Sequence, residues 1–157
     1  MSCSPSKLGV VALALFAITA IDGRRASAAG EEIAVIVHKS NAVGAMDRSQ
    51  LSAIFRAQVT EFPKGGRASP VNLPPDNAIR QQFDLAVLGM TPDEVERYWL
   101  DSKIRSGVGS PRKLSGPDSV VHYVESEETG IGYVSSSDVI GAVRVAARVR
   151  DGRVVPP

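Results

Sequence analysis

Apolar positions along this chain switch between two periods, and the switches mark the elements. Ile33 to His38 (IAVIVH) is a continuous, β-branched run, the pattern of a strand covered on both faces. A polar break at Ser40, Asn41 and Gly44 follows. Apolar residues then recur at helical spacing as Leu51, Ile54 and Phe55. Asp47 stands at the N-cap position, and Gln50 three residues later completes a capping-box pattern. Val59–Phe62 and Ser69–Leu73 flank the turn-forming stretch Lys64–Arg67, which predicts a hairpin or two short strands. The next helix is predicted from Asn77 to Leu88, capped by Asp76 and closed by Gly89, with Ile79, Phe83 and Val87 as its buried stripe.

Thr91-Pro92-Asp93-Glu94 opens a further helix: a capping threonine, proline at the first helical position and glutamate at the third. Its inward face reads Val95, Tyr98, Trp99 and Ser102. Another helix starts near Pro117 and turns Val120, Val121 and Val124 to the core. Between the two, Ser106–Pro117 is rich in glycine and proline, either a loop lining a site or a connector. Gly130–Val134 returns to a strand. Val143, Val145, Ala147 and Val149 alternate with Arg144, Ala146, Arg148 and Arg150, and Asp151-Gly152 is a favoured turn before Arg153–Val155. Arginines gathered on one face are expected to keep an exposed edge from pairing with other chains. The sum is an α/β domain, a mixed sheet flanked by helices.

The N-terminus follows another rule. Lys7 precedes a fourteen-residue apolar run, Leu8–Ile21, and Ala26-Ser27-Ala28 is the small–x–small pattern of a cleavage site. Residues 1–28 are expected to be a cleaved signal peptide and residues 29–157 the mature, periplasmic domain. An uncleaved anchor is the alternative, since Asp22, Arg24 and Arg25 lie between the run and the cleavage site. The run falls short of the roughly 20 apolar residues of a spanning helix.

Composition narrows the chemistry further. The chain has 18 basic and 17 acidic residues, net +1; removing Lys7, Arg24, Arg25 and Asp22 with the leader leaves 15 and 16, net −1. That balance gives no electrostatic reason to bind nucleic acid or an anionic membrane. Cys3, the single cysteine, lies in the leader, so the mature chain is expected to hold no disulfide and no thiol chemistry. About 129 residues suffice for one domain that buries its own core.

Catalytic and metal constellations are weak. His38 and His122 have no cysteine or close acidic pair at ligand spacing, so neither a metal nor a cofactor is implied, and His122 reads as half-buried structure. Glu125, Glu127 and Glu128 read as a solvated helix end rather than a calcium loop. Ser135-Ser136-Ser137-Asp138 lacks a histidine partner and elbow glycines; it reads as a strand end that caps the next turn. Gly107-Val108-Gly109 lacks the setting of a nucleotide loop. Tyr98 and Trp99 read as core rather than a stacking platform. No enzyme is expected.

Several segments, in order, carry a likeness to a known family. They are Leu51-Ser52-Ala53-Ile54-Phe55-Arg56-Ala57-Gln58, the turn Phe62-Pro63-Lys64-Gly65-Gly66, Arg80-Gln81-Gln82-Phe83 with Val87-Leu88-Gly89, and Trp99 with Gly107–Pro111. Val120–Val124 running to Thr129-Gly130-Ile131-Gly132-Tyr133-Val134 completes the set. In this order they resemble the substrate-binding proteins of phosphate ABC transporters, in a short single-lobe form. The resemblance covers nearly all of the mature chain and implies one lobe of a periplasmic-binding-protein type II fold. One stretch departs from it: where phosphate binders carry an arginine, serine, aspartate and Ser-Gly-Thr, this chain reads Leu73-Pro74-Pro75-Asp76-Asn77-Ala78-Ile79.

Two readings stay open. In the first, the helix start at Asn77 and Ala78 offers backbone N–H groups to a small anion, with Arg80 one turn in and Ser40 and Asn41 after the first strand. Against it, Asp76 satisfies those amides and repels an anion, and Arg80 is a solvated residue beside the buried stripe. In the second, the pocket is lost and the surface contacts a membrane transporter, sensor or porin. Neither reading specifies an oligomeric state.

Overall fold

The computed structural model describes residues 30–157; the expected leader and cleavage site lie outside the described residues. Six strands form one mixed sheet: β1 (Ile33–His38), β2 (Ser69–Asn72), β3 (Arg112–Lys113), β4 (Gly130–Ser135), β5 (Val143–Arg150) and β6 (Arg153–Val155). They lie in the order β3-β2-β4-β1-β5-β6. The helices are α1 (Arg48–Phe55), α2 (Ala78–Phe83), α3 (Pro92–Ser106) and α4 (Pro117–Ser126).

The apolar run of β1 makes it the centre of the sheet. Every residue of β1 is buried, with β4 and β5 on its two sides, both antiparallel. Side chains of one strand alternate between faces, so the layers follow from register. Ile36 sits opposite Gly132, on the face that α4 covers. A Cβ on Gly132 would stand 2.5 Å from Val120 Cγ1 and 3.1 Å from Val71 Cγ2, so glycine lets helix and sheet approach. Val35 sits opposite Tyr133 on the other face, against Phe55 of α1 and Phe83 of α2. Tyr133 stacks on Phe83 with ring centroids 3.8 Å apart, and its hydroxyl donates to Asn72 Oδ1 at 3.2 Å. Burial drives the phenol pKa far above its ordinary value.

Local signals held where they were self-contained. Both expected capping boxes form, at Asp47 with Gln50 and at Thr91 with Glu94. The Thr91 backbone and side-chain hydrogen bonds hold the Glu94 carboxyl below the usual carboxylate range. The Asp151-Gly152 turn joins β5 to β6 with φ 51° and 71° at the two residues. Ser135 ends its strand and accepts from Ser137 N, as expected of a turn cap.

Four expectations need correction. Val59–Phe62 forms no strand; the turn closes with a single bridge, Glu61 to Arg67. The helix predicted over Asn77–Leu88 divides: α2 ends at Phe83 and a π-helical turn, Asp84–Leu88, carries the chain to Gly89. Its cap is Asn77, not Asp76, because the Asn77 side chain is the one that accepts from Ile79 N (2.9 Å) and Arg80 N (3.3 Å). Finally, β5 is an interior strand, and its arginines do not share a face. A register shift between Val35 and Ile36 puts Arg144 opposite Val37 and Arg148 opposite Ala34, on opposite sides. Glu32 bridges Arg148 (2.7 Å) and Arg150 (2.5 Å). Hydrogen bonds from Arg150 and then Ser136 hold its carboxyl below the ordinary range.

Candidate functional site

The candidate residues do not converge, and strand direction is the reason. β2 runs parallel to β4, with Pro70 opposite Ile131, whereas β1 runs antiparallel to β4, with Val37 opposite the same Ile131. The carboxyl end of β1 therefore lies beside the amino end of β2. Ser40 and Asn41 follow one end of the sheet; Asn77, Ala78 and Arg80 follow the other. The expectation that all five surround one anion assumed that both strands point the same way. At their own end, Ser40 and Asn41 build a turn. Ser40 Oγ pairs with Nδ1 of the buried His38 at 2.7 Å, and Asn41 Oδ1 accepts from Val43 N at 2.9 Å. The Asn41 carbonyl accepts from Arg144 Nη1 at 2.8 Å.

At the other end, a groove of about 260 Å³ lies between α2, α3 and the Ser106–Pro117 segment. Pro75, Arg80, Asp84, Val95 and Trp99 line it with Ser110 and Lys113, so this segment is a lining loop rather than a bare connector. Arg80 is 5% exposed, neither solvated nor free. Its Nε meets Asp84 Oδ2 at 2.6 Å and its Nη1 donates to the Leu73 carbonyl at 2.9 Å. Burial raises the Asp84 pKa, and the attraction of Arg80 offsets this only in part. Asn77 Oδ1 already takes two of the amides at the start of α2. The groove holds Arg80 and Lys113 against Asp84, Asp93 and Glu96, a slightly acidic balance. That chemistry welcomes an anion poorly.

The reading of sequence missed Asp84, Ser110 and Lys113. Asp84 had a signal, the i,i+4 spacing from Arg80 that puts both on one helical face. Ser110 and Lys113 fall in the Ser106–Pro117 stretch that the sequence offers as a loop lining a site, but which of its residues face the groove is set only by the pairing of β3 with β2. Trp99 is buried as expected, yet it also lines this groove. His122 is exposed rather than half-buried, since its neighbours Val121 and Val124, not it, face the sheet. Among the described residues no three His, Cys, Asp or Glu side chains cluster as a metal site, and no helix is long and apolar enough to cross a membrane.

No protein-family model matches this chain, and no curated protein matches it in sequence. Solved structures do. An ABC-type phosphate transport receptor from Vibrio cholerae is similar at 20% identity and a TM-score of 0.60, over 73% of this chain and 45% of that one. A putative phosphate ABC transporter substrate-binding protein with bound phosphate, from Clostridium perfringens, is similar at 23% identity and a TM-score of 0.60, over 73% and 44%. PstS from Borrelia burgdorferi is similar at 10% identity and a TM-score of 0.50, over 68% and 42%. The chain spans less than half the length of each. The fold is thus α/β, a single lobe of the periplasmic-binding-protein type II fold, the class expected from the sequence.

Proposed function

We propose that this chain is an exported, non-catalytic receptor lobe that serves a solute transport or sensing system in the periplasm. It acts by contact with a membrane transporter, sensor or porin rather than by holding phosphate at α2. The observation that carries this reading is the buried Arg80–Asp84 pair, which neutralises the one guanidinium at the helix start while Asn77 occupies its amides. The leader Leu8–Ile21 with Ala26-Ser27-Ala28 supports export. The similar structures are named as phosphate receptors, which supports a transport setting; fold alone does not establish function.

Cross-linking in the periplasm, followed by identification of the captured membrane protein, tests the proposal. Recovery of a transporter, sensor or porin component is the expected result. Recovery of the product in the cytoplasm would defeat it.

A second reading has one observation in its favour. Arg80 and Lys113 both line a groove wide enough for a small solute. There the chain binds a phosphate-like anion on one open lobe, with modest affinity. Thermal shifts in phosphate-free buffer separate the readings. A saturable ligand at a hundredfold excess over its Kd adds about 2.7 kcal/mol of stability. Loss of that shift in Lys113→Ala, whose side chain lines the groove, would favour the second reading.

A further inference from the structure

α3 stands outside the central core and leaves one of its faces without a partner. Its inner side is spent on Val95 and Trp99, while the Tyr98 ring carries the Arg56 guanidinium 4.8 Å from its centroid. On the outer side Leu100 and Ile104, one turn apart, are 61% and 75% exposed. Val108, just past the end of the helix, is 39% exposed. These are three of the six large apolar side chains exposed among the described residues. A hydrophobic closure across the left-handed Gly107 accounts for Val108 beside the last turn, but it leaves Leu100 and Ile104 open to water.

The charges around that stripe select the partner. Glu96 and Lys103 flank it on one side, Arg97 and Asp101 on the other, and all four are exposed. Glu96, Arg97 and Lys103 enter no ion pair among the described residues; Asp101 meets Arg105 at 3.2 Å, in water. Leu100 stands beside the midpoint of the helix, Trp99. Two copies of α3 laid antiparallel about a two-fold axis there bring Leu100 against Leu100 of the second copy. The same register sets Glu96 level with Lys103 of the second copy, and Arg97 with Asp101 of the second copy. Every such pair is opposite in sign and occurs twice. Parallel helices would instead set each charge against itself. Complementing the helix dipole explains an acidic first turn and a basic last turn, but not the apolar stripe between the flanking charges. Asp93, Glu96 and Asp101 along the stripe also disfavour an anionic membrane as its cover.

We propose that α3 is a homodimer interface, pairing antiparallel with α3 of a second copy of this chain around Leu100 and Ile104. One helix from each copy makes an interface at the small end of specific contacts, so the dimer is reversible, with a Kd on the order of tens of micromolar. Glu96 also lines the groove beside Arg80, which places the second copy at the rim of that groove. The pairing is independent of what α2 binds.

Sedimentation equilibrium of the purified chain from about 1 µM to about 500 µM tests the proposal. A reversible monomer–dimer equilibrium is expected. Leu100→Glu sets like charges against each other on the axis and is expected to weaken the dimer by about tenfold or more. Glu96→Lys and Lys103→Glu are each expected to weaken it by about fivefold, because each brings like charges together twice. An equal mixture of those two variants regains opposite charges in the mixed dimer, and is expected to recover association close to that of the unaltered chain. All of these side chains are exposed, so the variants should keep the melting temperature of the monomer. A monomer throughout the range, a dimer indifferent to Leu100→Glu, or no recovery in the mixture would each overturn the proposal.

Discussion

Asp84 is held in an environment that works against its charge. Burial raises its pKa from 3.8, and the neighbouring guanidinium recovers only part of the loss. The sign of the linkage follows. A raised folded-state pKa means that the contribution of Asp84 to stability is fully present below about pH 3.8 and declines as pH rises through the raised value. Asp84→Ala removes the acceptor of the buried Arg80 Nε, which the carboxyl supplies in either protonation state, and should cost about 3–5 kcal/mol, the range for removing one partner of a buried pair. Urea unfolding should show this deficit shrinking from acid pH towards neutrality. A deficit that grows over the same range would mean that attraction, not desolvation, dominates. Glu32 has the opposite sign: its pKa lies below 4.5, so its contribution is present above that value and fades as pH falls through the lowered one.

At the scale of elements, the start of α2 separates two adjacent residues that look equally suited to the same task. Asn77→Ala removes the acceptor for Ile79 N and Arg80 N and should cost about 1 kcal/mol. Asp76 is exposed and stands outside the cap, so Asp76→Ala should change stability by no more than about 0.5 kcal/mol. Paired thermal melts of the two variants check this directly. Helix–sheet contact offers a second test. Gly132→Ala forces a methyl group into Val120 and should cost about 1–3 kcal/mol by overpacking, read as a lowered Tm. No change there would mean that α4 can lift from β4 freely.

Across the molecule, stability is unevenly shared. The central core joins β1, β4 and β5 to α1, α2 and α4, and α3 stands outside it. That helix is anchored by Val95 and Trp99, and by the Tyr98 hydroxyl on the Arg56 carbonyl. Its outer side exposes Leu100 by 61% and Ile104 by 75%. Hydrogen exchange should therefore release the amides of α3 well before those of β1 and β4, which open only with global unfolding. Protection of α3 equal to that of β1 would contradict this division. Because α3 walls the groove beside Arg80, the same looseness would let that groove change shape at little cost.

The chain on its own specified whatever depends on neighbours a few residues away. The apolar run of β1, the capping boxes at Asp47 and Thr91, the Asp151-Gly152 turn and the inward valines of α4 all come from local sterics and local hydrogen bonds. The order of these elements was enough to indicate an α/β lobe. Strand direction, by contrast, belongs to pairings between residues about sixty or more apart, such as Pro70 with Ile131 and Val37 with Ile131. Only those pairings send Ser40 and Asn41 to one end of the sheet and Asn77 and Arg80 to the other. Asn77 prevails over Asp76, Arg80 is spent on Asp84, and Arg56 comes to rest on Tyr98 for the same reason. Each outcome is fixed by which side chains the assembled layers bring within hydrogen-bonding or packing distance, and no local pattern carries that information.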